Sequence, residues 1–112
     1  MRDKNYIAIE KIIAYIEKIS GYTNKIDKDT FLSDTKLLEA CVFNILQIGE
    51  LANRVSDDFR SQHKEIPWPK MRGIRNRLVH DYEGVNLELV WDIVYRDLDI
   101  LYKQLLSIQK LN

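Results

Sequence analysis

An all-α bundle of up-and-down helices, four or five in number, is the fold this sequence predicts. Apolar residues recur at three- and four-residue steps over long stretches, the spacing that lines one face of a helix. Ile and Leu dominate the aliphatic content, while Gly and Pro number only four and two, too few for the tight turns of a β-sandwich. A hydrophobic share of 46% over 112 residues is enough to build a core. Residues 1–112 are therefore read as one domain, with no repeat, linker or low-complexity tract.

The first helix is expected from about Asp3 to Ser20. Ile9, Ile12, Ile13, Ile16 and Ile19 line one face, with Lys11, Glu17 and Lys18 on the other and Gly21 as the stop signal. Tyr22 to Thr30 is a polar connection without apolar period, after which Phe31 and Leu32 form a short turn docked on the core. Ser33 or Asp34 caps a second helix that runs to about Val55, with a stripe of Leu37, Leu38, Cys41, Ile45, Ile48 and Ala52. Val42, Phe43 and Leu46 extend its apolar surface beyond that stripe, as in a helix central to its bundle or buried against a partner. Ser56, Asp57 and Asp58 open a short turn through His63. A further helix begins near Pro67-Trp68-Pro69, since proline is tolerated in a first turn, and turns Met71, Ile74, Leu78 and Val79 inward. Asn86 caps the last helix, about Leu87 to Gln109. Its seam is Val90, Val94, Leu98, Leu101, Leu105 and Ile108, with Leu98 one step out of phase.

Formal net charge is zero, with 17 basic and 17 acidic side chains, so no general cationic coat exists for nucleic acid. The distribution is uneven. Residues 64–80 hold Lys64, Lys70, Arg72, Arg75 and Arg77 against Glu65 alone, and the segment that follows is acidic. Such a patch either binds a polyanion or pairs with the neighbouring acids. The one cysteine, Cys41, lies in an apolar helix and reads as a buried structural thiol in a reducing compartment. The N-terminal residues lack the apolar core of a signal peptide, and no apolar run reaches membrane-spanning length. A soluble, cytoplasmic protein with no membrane partner is expected.

Standard catalytic signatures are absent: there is no glycine-rich phosphate loop and no nucleophile elbow. No metal site is expected either, because Cys41, His63 and His80 do not cluster in sequence, and Asp57-Asp58 and Asp97/Asp99 read as a cap and a solvated face. What stands out is Ile74-Arg75-Asn76-Arg77-Leu78-Val79-His80-Asp81-Tyr82, which places a permanent cation, an amide, an imidazole and a phenol within eight positions. Asn76 and His80, four apart, share a helix face. Arg75 and His80 are separated by about 140° on an ideal helix, so they converge only if the helix unwinds near Val79 or if two chains contribute to one pocket. Periodicity alone leaves a plainer reading open: His80 facing the last-turn carbonyls, Arg75 and Arg77 paired with acids of the final helix, and Tyr82 packed with a wet hydroxyl.

This stretch resembles the R-x4-H-x-Y signature of the HEPN superfamily, and more narrowly the HepT family of toxins, whose antitoxin is a minimal nucleotidyltransferase. Ile48-Gly49-Glu50-Leu51-Ala52, Ile66-Pro67-Trp68, Met71-Arg72-Gly73-Ile74-Arg75-Asn76 and Val85-Asn86-Leu87-Glu88-Leu89-Val90-Trp91 are similar to that family in the same order, so the resemblance spans nearly the whole chain. It implies a toxin endoribonuclease of a type VII-like toxin–antitoxin pair, cutting transfer or messenger RNA without metal or cofactor. Arg75 and His80 are the implied catalytic residues, in a site shared by a homodimer, with Asn76 in support and Lys70, Arg72 and Arg77 as possible RNA contacts. It further implies that the antitoxin uses ATP to adenylylate Tyr82 and so silences the enzyme. The rival implication is a non-catalytic HEPN module that binds nucleotide or docks on its nucleotidyltransferase.

Overall fold

Helix α1, Lys4–Thr23, starts where the Asp3 carboxylate accepts the Asn5 N–H at 2.7 Å. The computed structural model of the protein describes residues 3–78 and 86–111, and among these there is no strand. The isoleucine face of α1 is fully inward, with Ile9, Ile12, Ile16 and Ile19 all buried. Gly21 does not stop the helix. Its position is open on all sides, and a glycine costs a helix only about 1 kcal/mol. The buried Thr23 hydroxyl donates to the Ile19 carbonyl, and the Tyr95 hydroxyl donates to the Thr23 carbonyl, so the extra turn is held. The chain then reverses at Lys25, whose φ of 62° lies in the left-handed region.

The expected polar connection contains a short helix, α2, Lys28–Ser33, opened by Asp27 accepting the Thr30 N–H at 2.8 Å. It carries Phe31 into the core, edge-on to Trp91 and Tyr95. Helix α3, Thr35–Arg54, is capped by Asp34 rather than Ser33. It packs along α1 and supplies Leu38, Cys41, Ile45, Ile48 and Ala52 to the centre. Helix α4, Asp57–Gln62, begins at Ser56, and the Asn5 amide ties this corner to the start of α1 by accepting the Ser56 N–H and donating to its hydroxyl. Phe59 of α4 packs on Tyr6 and Trp68.

Downstream of the prolines one helix was expected, and the structure has two, α5 (Trp68–Arg72) and α6 (Ile74–Leu78), with Gly73 between them. Val79, expected to face inward, lies outside the described residues. Asn86 caps the last helical run through the Leu89 N–H. That run comprises α7 (Leu87–Asp92), a π-helical turn (Ile93–Asp97) and α8 (Leu98–Leu111). The π turn takes up one extra residue, which is why two consecutive four-residue steps, Val90 to Val94 to Leu98, still keep all three side chains buried. One contiguous apolar cluster joins α1, α3, α5 and the last helical run. Each fully buried Ile or Leu in it contributes about 1.5–3 kcal/mol, whereas the surface ion pairs contribute at most about 1 kcal/mol each. Apolar burial therefore holds the bundle.

Candidate active site

Helices α5 and α6 lie on the C-terminal half of α3. Ile66, Trp68, Met71 and Leu78 are buried beneath them, and the Trp68 indole N–H donates to the His63 carbonyl at 2.9 Å. Anchoring on these apolar residues turns the cationic positions outward. Lys70, Arg72, Arg75 and Asn76 are exposed, and Arg77 is half-buried. Arg77 and Lys70 stand with Asp97 on the polar edge of a small cavity of about 50 Å³, otherwise lined by apolar groups such as Ile45, Ile48, Ile93 and Leu101.

Among the described residues, one of these cations is held by a side-chain hydrogen bond. The Arg72 Nε donates to the Asn53 Oδ1 at 2.9 Å. Among the described residues, Lys70, Arg75, Asn76 and Arg77 have no side-chain hydrogen bond and no ion pair. The acids of the last helical run have partners elsewhere: Glu88 pairs with Lys28 at 2.9 Å, Asp97 with Arg96 at 3.4 Å and Asp99 with Lys103 at 3.2 Å. Internal pairing of Arg75 and Arg77 with those acids, the plainer reading of the sequence, is thus not found among the described residues. Two adjacent short helices thus present a strip of exposed cations that no acid among the described residues neutralises, an arrangement that attracts phosphate.

His80 and Tyr82 lie outside the described residues. The chain on either side is fixed: the Asn86 N–H donates to the Leu78 carbonyl at 3.1 Å, which holds the end of α6 against the start of α7.

Other reactive side chains are built into the fold. Cys41 is fully buried, and burial pushes its thiol up to about 11, so little nucleophilic thiolate exists at neutral pH. His63 is stacked at 4.5 Å on Phe59 with its Nδ1 3.6 Å from Glu65. Among the described residues no three His, Cys, Asp or Glu side chains come together as a metal site, and no helix is long and apolar enough to cross a membrane. Two residues beside the strip escaped sequence reasoning. Asn53 meets Arg72 from 19 positions away, which no local pattern reveals. Gly49 carried a signal, because a glycine inside an apolar helical stripe marks close backbone approach.

Comparison with known proteins bears on this strip. The family model described as "Ribonuclease HepT-like" matches residues 12–108, nearly the full chain. The protein belongs to this family. The HepT-like match contains the whole segment from Arg75 to Tyr82. A protein named "Probable ribonuclease HepT" from Thermococcus cleftensis is 36% identical over 98 residues, covering 88% of this chain and 87% of its own. Two proteins named "Putative RNase" are also similar. One, from Methanocaldococcus jannaschii, is 35% identical over 74% of this chain and 69% of its own. The other, from Caldanaerobacter subterraneus subsp. tengcongensis, is 32% identical over 83% and 80%. No solved structure matches this HepT-like chain.

Proposed function

We propose that this HepT-like protein is a toxin endoribonuclease that cleaves RNA without a metal ion, at a site shared by two copies of the chain. The observation that carries this reading is the row of exposed cations on α5 and α6, of which Arg75 and Arg77 have no partner among the described residues, in a chain of a ribonuclease family.

The chemistry needs three things: a base for the ribose 2′-hydroxyl, an acid for the departing 5′-oxygen, and positive charge on the phosphorane. His80 of one copy takes the 2′ proton as the 2′-oxygen attacks phosphorus. The P–O5′ bond breaks, and the partner subunit's His80 protonates the leaving oxygen, giving a 2′,3′-cyclic phosphate and a 5′-hydroxyl. Histidine suits both roles because its ordinary pKa is near neutrality. Arg75 of each copy grips the phosphate oxygens through its planar fork. Asn76, four positions before His80 in the sequence, orients the imidazole or the substrate, while Lys70, Arg72 and Arg77 steer RNA inward. A cytoplasmic transfer or messenger RNA is the substrate.

One chain has one motif histidine and two proton transfers to serve, so a two-fold dimer completes the set. An apolar groove lined by Leu32, Leu38, Val42, Phe43, Leu46 and Leu87 supports such a pairing, with Phe43 59% exposed. Val42, Leu46, Gly49 and Asn53 follow each other at steps of four, three and four along α3, so the groove and the seat of α5 and α6 share one line of that helix. Burying the groove against a second copy brings two cationic strips together.

Silencing works through Tyr82. Its hydroxyl attacks the α-phosphorus of ATP on a minimal nucleotidyltransferase antitoxin, pyrophosphate leaves, and the bound AMP sets bulk and negative charge beside Arg75 and His80. Tyr82→Phe is expected to escape this silencing and to keep most of the cleavage activity. An adduct found by mass spectrometry on another residue would reject the assignment.

The deciding experiment incubates purified protein, shown by mass to carry no AMP, with transfer and messenger RNA in EDTA. Cleavage to 2′,3′-cyclic phosphate ends that His80→Ala abolishes is the expected result. RNA binding without cleavage would overturn the enzyme reading in favour of a non-catalytic HEPN docking module.

A further inference from the structure

We infer that Gly49 is a positioning residue for Arg75: its missing side chain sets how closely the arginine's helix sits on α3. The inference rests on the ribonuclease reading above and concerns the support of the same site.

Gly49 is buried in the second half of α3. Glycine is a poor helix former, so its place in a 20-residue helix needs a packing reason. A Cβ built there would lie 2.8 Å from the Ile74 Cγ2 and 3.0 Å from the Met71 carbonyl oxygen. Neither neighbour yields easily. Ile74 is β-branched and stiff at χ1, and its Cγ2 is one bond from the Cβ. The Met71 carbonyl is backbone, at the break between α5 and α6 where the Gly73 N–H donates to the Pro69 carbonyl at 3.0 Å. The junction of the two helices therefore rests directly on the bare backbone of Gly49, immediately before Arg75. One turn further along the same stripe, Asn53 holds Arg72. Gly49 and Asn53 thus form a platform that fixes the height of both arginines above the bundle.

Adding a methyl at 49 pushes that junction outward. Displacements of this kind, near 1 Å, cost reaction rates about 10²-fold when they move a charged group away from its reacting partner, while loose electrostatic attraction of RNA survives. Gly21 supplies the matched control, since nothing lies within 4 Å of a Cβ built there.

The test compares wild type, Gly21→Ala, Gly49→Ala and the double variant Gly49→Ala/Ile74→Ala, each as the folded dimer. Single-turnover RNA cleavage is measured beside binding of a 2′-deoxy, uncleavable RNA. Gly49→Ala is expected to lower the cleavage rate constant about 10- to 100-fold while changing RNA affinity less than about threefold. Removing the Ile74 branch should restore part of the rate in the double variant, and Gly21→Ala should cleave as wild type does. A merely structural glycine would instead lose binding and cleavage together, with the double variant worse than Gly49→Ala, and that result overturns the inference. If Gly49→Ala does not fold, Ile74→Leu probes the same contact by taking away the Cγ2: a lowered rate with intact binding supports the inference, and an unchanged rate overturns it. Wild type inert toward RNA would instead remove the ribonuclease reading, and this inference with it. A Gly49→Ala variant as active as an active wild type overturns the inference alone.

Discussion

The last helical run and the α5–α6 strip treat charge in opposite ways. Along α7, the π turn and α8, acids find cations within a few residues or on α2, and the inner side is a continuous apolar seam from Val90 to Ile108. On α5 and α6 the apolar anchors are as well buried, yet Lys70, Arg75 and Arg77 are left without partners among the described residues. Folding does not require that difference, because exposed pairs contribute little. If the strip serves an anion from outside, as proposed, the two regions should respond to mutation differently, in stability in one and in activity in the other.

Leu105→Ala is the strongest way to test the structural side. Leu105 is fully buried on α8, and its truncation should destabilise the fold by about 2–5 kcal/mol in urea unfolding, without altering the rate of whatever fraction stays folded. Arg75→Ala should do the reverse. An RNA-cleavage loss of about 10²-fold corresponds to roughly 2.7 kcal/mol of barrier, while the unfolding free energy should move by no more than about 0.5 kcal/mol. A destabilisation well above that limit would make Arg75 a structural residue and erase the contrast.

Phe43→Glu sharpens the comparison at the groove. A charge in place of the exposed phenyl ring should weaken self-association at least about tenfold in analytical ultracentrifugation, with the monomer remaining helical. If association is unchanged, the groove does not join two copies. The smallest effect is expected at Asp27. Its carboxyl is held below the ordinary carboxylate range, first by the Thr30 N–H and then by the Thr30 side chain. A lowered folded-state pKa adds stability above the unfolded pKa and loses it as pH falls through the folded value. Acidification should therefore fray α2 slightly, and Asp27→Asn should flatten that part of the pH–stability curve.

Much of the fold was legible because its signals are local. Asp34, Ser56 and Asn86 announce helix starts through a side-chain oxygen three residues before the N–H it accepts from. The out-of-phase Leu98 was noted but not explained, and the π turn that accounts for it was not foreseen. Gly21 misled, since a glycine near a helix end reads as a stop, and the bond from Tyr95 that holds the extra turn comes from 72 positions away. The break at Gly73 and the start of α2 at Asp27 were also unforeseen. At the site, residue types and spacing pointed to Arg75 and its neighbours. Whether the arginines were neutralised internally depended on where Asp92, Asp97 and Asp99 turn on the last helix, a tertiary matter. The roles of His80 and Tyr82 came from family resemblance, and both lie outside the described residues.

The most direct trial of a site shared between two chains is to mix wild type with rising amounts of His80→Ala, let the subunits exchange, and assay RNA cleavage in EDTA. A shared cleft that needs both imidazoles predicts activity falling as the square of the wild-type fraction, because a mixed dimer holds one imidazole for two proton transfers. A fall in direct proportion to that fraction, together with full cleavage by a wild-type chain held monomeric, would contradict it.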